Sequence, residues 1–434
     1  MREEPFPLGP SLWAATAAAA PPTEILKGSV RTDVAIVGGG YAGLSTALHL
    51  AKKGIKVIVV EAREIGFGGS GRNGGQVIPG LKYDPDELLA MYGPEHGARL
   101  IRFAGGTADT VFDLIDRYDM DVPRVRQGWI QGAHTPEALV VAQQRADQWA
   151  RLGAPVRYLD RAQVGSLLGT DRYLGGWVDE RAGAIQPLSY VRGLARAAMQ
   201  EGVTLYTGSP VARLSGGAGA WTLHGANGYQ LVADRVVLCT NAYFTSPSGA
   251  PLVPRLQSTI IDANTFQVAT QPLPDRLRAS ILPLGHVCSD TRNLLLYFRL
   301  DHTGRLLMGG RGPFREPRGE QDWRHLERVI AKMFPQAAEL GFDYRWCGRV
   351  AITRDYLPHL HEPEPGLLVD IGCQGRGVGL QTRMGVAIAN YLESGDANDL
   401  PVPITPIKPF PAYPLRRLYV NAMVTWYRMN DGGL

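Results

Sequence analysis

The sequence predicts an α/β fold, α+β when taken over the whole chain, in which a parallel sheet assembled from separated pieces of chain is interrupted by an antiparallel one. Three observations predict it. "TDVAIVGGG" near the start and "GLLVDIG" near the end are continuous apolar runs that end on glycine and lead into helix-like stretches, as strands buried on both faces do. "DRVVLCTNAY" repeats such a run in mid-chain. Between the second and third, "NLLLYFRLDHTGRLLMGGRG" alternates and turns at Thr303-Gly304, the look of an antiparallel pair.

Taken in order, the first run is followed by "YAGLSTALHLAKKG", whose Leu44, Ala47, Leu48 and Ala51 share one helix face and whose Gly54 stops it. "KVIVVEA" then supplies a second buried strand, so strand, helix and strand fit the size of a βαβ unit. Residues 83–182 read largely as helices, for example "ADTVFDLIDRYDM" and "EALVVAQQRADQWARLG". A second α/β block opens with the helix "PLSYVRGLARAAMQEG", followed by the strand-like "VTLYTGSPVARL" and "WTLHG". The closing block runs strand, glycine turn, helix, and the tail "PVPITPIKPFPAYP" reads as extended surface chain.

This order predicts a discontinuous Rossmann-like domain (31–82, 183–246 and 345–400) with an interleaved substrate domain (83–182 and 247–344), helical in part and carrying the antiparallel sheet. Residues 1–30 form a leader that packs on the domain, and 401–434 an extension. A length of 434 residues supports two cores.

Composition narrows the function classes. With 45% hydrophobic and 20% charged residues the chain is an ordinary globular protein. Its net charge of +4 comes from scattered arginines without a Lys/Arg block, which argues against nucleic acid as a partner. Cys239, Cys288, Cys347 and Cys373 form no CxxC pair, so neither a metal site nor a disulfide framework is expected, and a reducing, cytoplasmic location fits. The alanine-rich start follows net acidic residues, unlike a secretory signal. Residues 34–51 reach the length of a membrane span, but three consecutive glycines make them a strand, turn and helix, and no integral membrane segment is expected.

The first motif is Gly38-x-Gly40-x-x-Gly43, between a strand and a helix, with Tyr41 and Ala42 in the same turn. Glycine is needed for the tight turn at Gly38, for backbone approach to a pyrophosphate at Gly40 and for helix packing at Gly43. The helix N-terminus presents N–H groups and a positive dipole end to the diphosphate. Glu61, followed by Ala62 and Arg63, closes the next strand and can accept bonds from both ribose hydroxyls while repelling a 2′-phosphate. The fingerprint alone leaves NAD and FAD open. The segment that follows, "REIGFGGSGRNGGQVIPG", is a glycine run with Ser70, Gly71, Arg72, Asn73, Gly74, Gly75 and Gln76, suited to lie along a flat ring or a phosphate. The closing "GCQGRGVGLQT" aims a helix N-terminus where a reduced flavin holds negative charge, through Gly375, Arg376, Gly377, Val378 and Gly379.

Together, "DVAIVGGGYAGLSTALHL", "EAREIGFGGSGRNGGQ", "LCTNAY", "YFRLDHTGRLLMGG" and "GCQGRGVGLQTRMG" resemble the D-amino-acid/sarcosine/glycine oxidase superfamily of FAD enzymes, and within it the bacterial γ-glutamylputrescine and L-pipecolate oxidases. The resemblance runs from about Ser11 to the C-terminus. It implies FAD bound in extended form and oxidation of a C–N bond, with Val211 presenting its backbone to adenine and Thr240, Asn241 and Ala242 passing the diphosphate. It further implies that Ser70 to Gln76 edge the isoalloxazine and that Gly375 to Gly379 meet its N1–C2=O edge. Two departures stand out. Where amino-acid members carry a carboxylate-gripping arginine this chain has Val350, with Arg349 one residue earlier, and where many relatives read "GYSGHG" it reads "GCQGRG". No cysteine lies in a segment that matches covalent flavin attachment.

Substrate-orienting candidates are Arg299, whose planar fork suits a carboxylate, with Tyr297 and Gln76, and His302 as a further pocket residue. Hydride transfer from the carbon beside an amine to flavin N5 needs no dedicated acid or base, and none is evident in the sequence. The substrate is then a small amine or amino acid, a secondary amine such as L-pipecolate or γ-glutamylputrescine, and oxygen or a quinone takes the electrons. Two alternatives stay open: an FAD-binding subunit of a heteromeric dehydrogenase, and a hydroxy-acid dehydrogenase with a histidine base. The oligomeric state is not legible.

Overall fold

The computed structural model describes residues 10–217, 219–244 and 251–431. The first nine residues of the expected leader, the last three of the tail, and 245–250, which straddle the expected boundary at 246, lie outside them.

Five parallel strands form the heart of the first sheet, in the order Leu367–Ile371, Gln230–Leu238, Ser29–Val37, Val57–Val60, Thr204–Tyr206. Their apolar runs are continuous because helices cover them. Val57–Val60 and Leu367–Ile371 are buried throughout. Gln230–Leu238 splits its free edge: the first half pairs antiparallel with Ala220–Gly225, the last half parallel with Leu367–Ile371. One strand thereby carries both the mid-chain hairpin and the C-terminal block. Helices Tyr41–Ala51 and Gly377–Ser394 lie side by side, tied by Ser45 Oγ donating to the Thr382 carbonyl at 2.6 Å.

The second sheet has eight strands, and one end of it is the long antiparallel pair Ile260–Pro272 with Phe342–Thr353, in register from Ile260 opposite Thr353. Arg305–Arg311, Tyr297–Leu300 and Val287–Asp290 continue it, with the turn at Gly304 as expected. The far side differs from the helical reading of 83–182. Trp129–Ala133, Gly175–Asp179 and Val156–Asp160 complete the sheet, Trp129–Ala133 pairing parallel with Val287–Asp290. Each has five residues and sits between helices with clear apolar faces, so a period of two had no length in which to register. Phe342–Thr353 also runs through position 345, where the third piece of the cofactor domain was expected to begin, and pairs in the second sheet.

A small three-stranded sheet joins the two halves: Gln76–Val77 and Arg124–Val125 flank Gly183–Ile185. At the N-terminus Leu12 and Trp13 are fully buried, and Gln186 Nε2 donates to the Trp13 carbonyl at 2.9 Å, so the described part of the leader packs on the body. The proline-rich tail is extended to about residue 412 and then forms helix Arg416–Asn430, which the sequence reading lacked. Among the described residues no helix is long and apolar enough to cross a membrane.

Candidate active site

The first turn is built as its glycines require. Gly38 has φ +114°, and a Cβ there would stand 2.9 Å from the Cys239 carbonyl oxygen of the neighbouring strand. A Cβ at Gly43 would stand 2.1 Å from the Gly38 carbonyl oxygen, so any side chain would push the helix off the turn. Helix Tyr41–Ala51 starts at Gly40, which has no side chain to cap it, and Gly40, Tyr41 and Ala42 turn its positive N-terminus to the cavity. Glu61 accepts from Gly39 N at 2.7 Å and from Arg63 N at 2.9 Å. Burial pushes its carboxyl above the ordinary range, and the N–H groups of Arg63 and Gly39 oppose that shift.

The glycine run 66–76 is pinned from every side. Asn73 donates to the Ser70 carbonyl at 2.9 Å and to the Tyr41 hydroxyl at 3.1 Å, and its Oδ1 accepts from Gly75 N at 2.8 Å. Its own carbonyl accepts from Trp13 Nε1 at 2.7 Å. Ser70 Oγ accepts from Tyr41 N at 3.0 Å. Arg72 Nε donates to the Phe67 carbonyl at 2.7 Å, and the Arg72 carbonyl accepts from Gln267 and Trp346 of the second sheet at 2.6 and 3.1 Å. Gln76 Nε2 reaches the Cys288 and Phe298 carbonyls at 3.0 and 3.2 Å. A loop tied to the first helix, to the N-terminal segment and to the second sheet is a wall, not a surface excursion.

The closing loop completes the opposite wall. Asn241, at φ +46°, accepts from Gly372 N at 3.1 Å, and Gln374 Nε2 donates to Thr353 Oγ1 at 2.6 Å. Arg376 donates to the Pro79 carbonyl at 2.8 Å and lies 5.4 Å over the Trp129 ring. Helix Gly377–Ser394 begins directly after it, again without a side-chain cap. Behind the loop, burial pushes the Asp370 carboxyl up to about 7, and the neighbouring Gln381 side chain opposes the shift.

These walls enclose a cavity of about 2300 Å³, well beyond the ~300–1,000 Å³ of a cleft for one drug-sized ligand. Gly38, Gly40, Tyr41, Ala42, Glu61, Ala62, Arg63, Ser70, Arg72, Asn73, Gly74, Gln76, Thr240, Asn241, Gly375, Arg376, Gly377, Val378 and Tyr297 all line it. Gly43, Gly71, Gly75, Ala242 and Gly379 stand behind the lining, and Val211 is buried in its hairpin while Pro210 and Gly208 face the space. Arg299 is not on the wall: it is buried, donates to the Gly75 carbonyl at 3.3 Å and stacks on Trp13. Arg349 lines the cavity and is paired with Glu316 at 2.5 Å. The Tyr297 hydroxyl shares a 2.8 Å bond with Thr265, and burial raises its pKa.

The electrostatics favour anions. Among the described residues Arg63, Arg72, Lys82, Arg145, Arg292, Arg311, Arg349, Arg354 and Arg376 line the cavity against Glu61 and Asp290. None of the nine histidines does, His302 included. A glycine cradle that a Cβ would fill, two helix N-termini, an acid after the second strand and a cationic lining fit FAD. Sequence reasoning missed Trp13, which is buried and supports the glycine run, the lining residues Lys82, Trp129, Gln131 and Arg145, and also Tyr419, Met423 and Tyr427 of the terminal helix, which line the cavity at a spacing of four. That spacing was the available signal.

Comparison with known proteins agrees with the geometry. Residues 33–391 match the family described as FAD dependent oxidoreductase. The chain belongs to that family. Like other FAD-dependent oxidoreductases it is an enzyme that uses FAD. It is 32% identical to the gamma-glutamylputrescine oxidoreductase of Escherichia coli (strain K12) over 97% of this chain and 98% of that one. It is 31% identical to the probable oxidoreductase OrdL of Rhizobium meliloti (strain 1021), over 99% of each. The family fold recurs in the glycine oxidase structure from Geobacillus kaustophilus, with a TM-score of 0.70, 22% identity and coverage of 84% of this chain and 95% of that one.

Proposed function

We propose that the enzyme oxidises the C–N bond of a small amine that carries a carboxylate, a secondary amine or N-substituted amino acid such as L-pipecolate or a γ-glutamylated amine such as γ-glutamylputrescine. The observation that carries this reading is the cavity lining itself: cations in excess, and no histidine to serve as the base a hydroxy acid requires. The 32% identity with the Escherichia coli enzyme supports the γ-glutamylated amine.

FAD, when bound, supplies the hydride acceptor at its N5. The turn at Gly38 to Gly43 and Glu61 would hold its diphosphate and ribose, and the pinned run from Ser70 to Gln76 with Gly375 to Gly379 would hold its ring. With FAD bound, the neutral amine would give up a hydride from the adjacent carbon to it and the N–H proton to solvent, and the resulting imine would be hydrolysed by water to a carbonyl and an amine or stay cyclic. Tyr297, held protonated by burial and fixed by Thr265, orients the amine without exchanging a proton. Oxygen or a quinone removes the electrons. The four free thiols suit a reducing compartment such as the cytoplasm.

The test is anaerobic addition of L-pipecolate, L-proline, sarcosine, D-alanine and γ-glutamylputrescine to the purified holoenzyme. Bleaching of the oxidised-flavin band by a carboxylate-bearing amine is the expected result. A flavoprotein that none of them bleaches supports the subunit or hydroxy-acid readings instead.

A further inference from the structure

We propose that Lys82, Arg145 and Arg376 form an anion subsite at one rim of the cavity, which takes a carboxylate carried by the amine away from the carbon that is oxidised. The inference rests on the amine reading above and supplies its recognition element.

The three cations come from distant parts of the chain and line the same cavity. Gln131 and Trp129 alternate by two on strand Trp129–Ala133 and so share a face. Gln131 Oε1 accepts from Arg145 Nη1 at 2.7 Å, and the Trp129 ring supports the Arg376 guanidinium. Lys82 Nζ stands 5.8 Å over the Tyr356 ring at the exposed lip. Against these charges stand Asp84, already bound to Arg145 at 2.5 Å, and Glu87, whose carboxylate accepts from Asp84 N at 2.8 Å. Asp179, the other carboxylate whose field reaches Arg376, is gripped by two Arg181 nitrogens at 2.6 and 2.9 Å.

Like charges gathered at a half-buried rim raise one another's free energy. Lys82 is pushed below its ordinary range by burial and then by Arg145 and Arg376, and Arg376 is pushed down to about 10 by burial and then by Arg145. A bound anion relieves that repulsion. Two planar forks and one mobile ammonium suit a carboxylate, which can be held in plane by the arginines and capped by the lysine. The diphosphate of FAD is a different anion in a different place. Its turn belongs to the start of the first sheet, whereas Lys82, Arg145, Trp129 and Gln131 lie in and around the second, and Arg376 reaches them from the loop after Leu367–Ile371, donating to the Pro79 carbonyl and stacking on Trp129.

The test is calorimetric titration of the holoenzyme with glutarate and with its neutral diamide, glutaramide. Glutarate is expected to bind and glutaramide not to. Lys82→Met is expected to weaken glutarate about tenfold, as loss of a charge-assisted contact does, and Lys82→Arg to restore it. Equal binding of the two probes, no binding of glutarate, or glutarate affinity unchanged in Lys82→Met would overturn the subsite. Because the titration needs no turnover, the two readings fail separately: glutarate bound through Lys82 in an enzyme whose flavin only hydroxy acids bleach would keep the subsite and remove the amine.

Discussion

Arg299 stacks on Trp13, its guanidinium carbon 5.0 Å from the indole centroid, and the same indole donates to the Asn73 carbonyl at 2.7 Å. An arginine expected to grip substrate thereby belongs to the scaffold that holds the run 69–76 in place. Arg299→Met is expected to leave the KM of a carboxylate-bearing amine within about threefold. A gripping arginine would cost about 2–5 kcal/mol on truncation, seen as a KM rise beyond thirtyfold in steady-state kinetics.

Trp13→Ala removes a fully buried indole together with its bond to Asn73. A loss of about 3–5 kcal/mol is expected, with faster FAD release, because the glycine run proposed to edge the ring loses its support. Denaturant unfolding and the rate of flavin release on dilution measure the two effects.

Gly43→Ala places a Cβ 2.1 Å from the Gly38 carbonyl oxygen. The helix must then shift and open the diphosphate turn, so the purified variant is expected to carry little FAD, read as its absorbance ratio at 280 and 450 nm.

Glu61→Ala leaves Gly39 N–H without its acceptor, a cost of about 1–3 kcal/mol. Reconstitution of the apoprotein is expected to show FAD affinity reduced at least about tenfold.

Asp370 sets a pH dependence. Its folded pKa of about 7 lies above the ordinary aspartate value of about 3.9, so the folded state holds the extra proton in that window. Stability therefore falls as pH rises from about 4 to about 7. Asp370→Asn removes the ionisable group, and its melting temperature is expected to vary less over that window and to exceed the parent's at pH 8. Parallel curves for the two proteins would contradict the assignment.

What the sequence made legible follows from how local the information is. The βαβ unit around Gly38–Gly43 and the strand, turn and helix around Gly377 are written in contiguous residues with a strong period, and the structure has both. The five-residue strands at 129, 156 and 175 are too short for that. Helix Arg416–Asn430 was hidden behind a proline run, although Tyr419, Met423 and Tyr427 carry its cavity face. Lys82, Arg145 and Arg376 meet only in three dimensions, and no spacing announces them. Arg299 shows the opposite limit, since an arginine on a strand between aromatic residues looks the same whether it faces a cavity or the layer behind it.

The central claim is that this cavity binds FAD and uses it on a C–N bond. Its most direct test is one anaerobic turnover in which flavin bleaching and released carbonyl are quantified together, with a carboxylate-bearing amine and with its hydroxy counterpart. One carbonyl per flavin is expected from the amine, and no bleaching by the hydroxy acid. Bleaching by the hydroxy acid alone, or a protein that cannot be reconstituted with FAD, would contradict it.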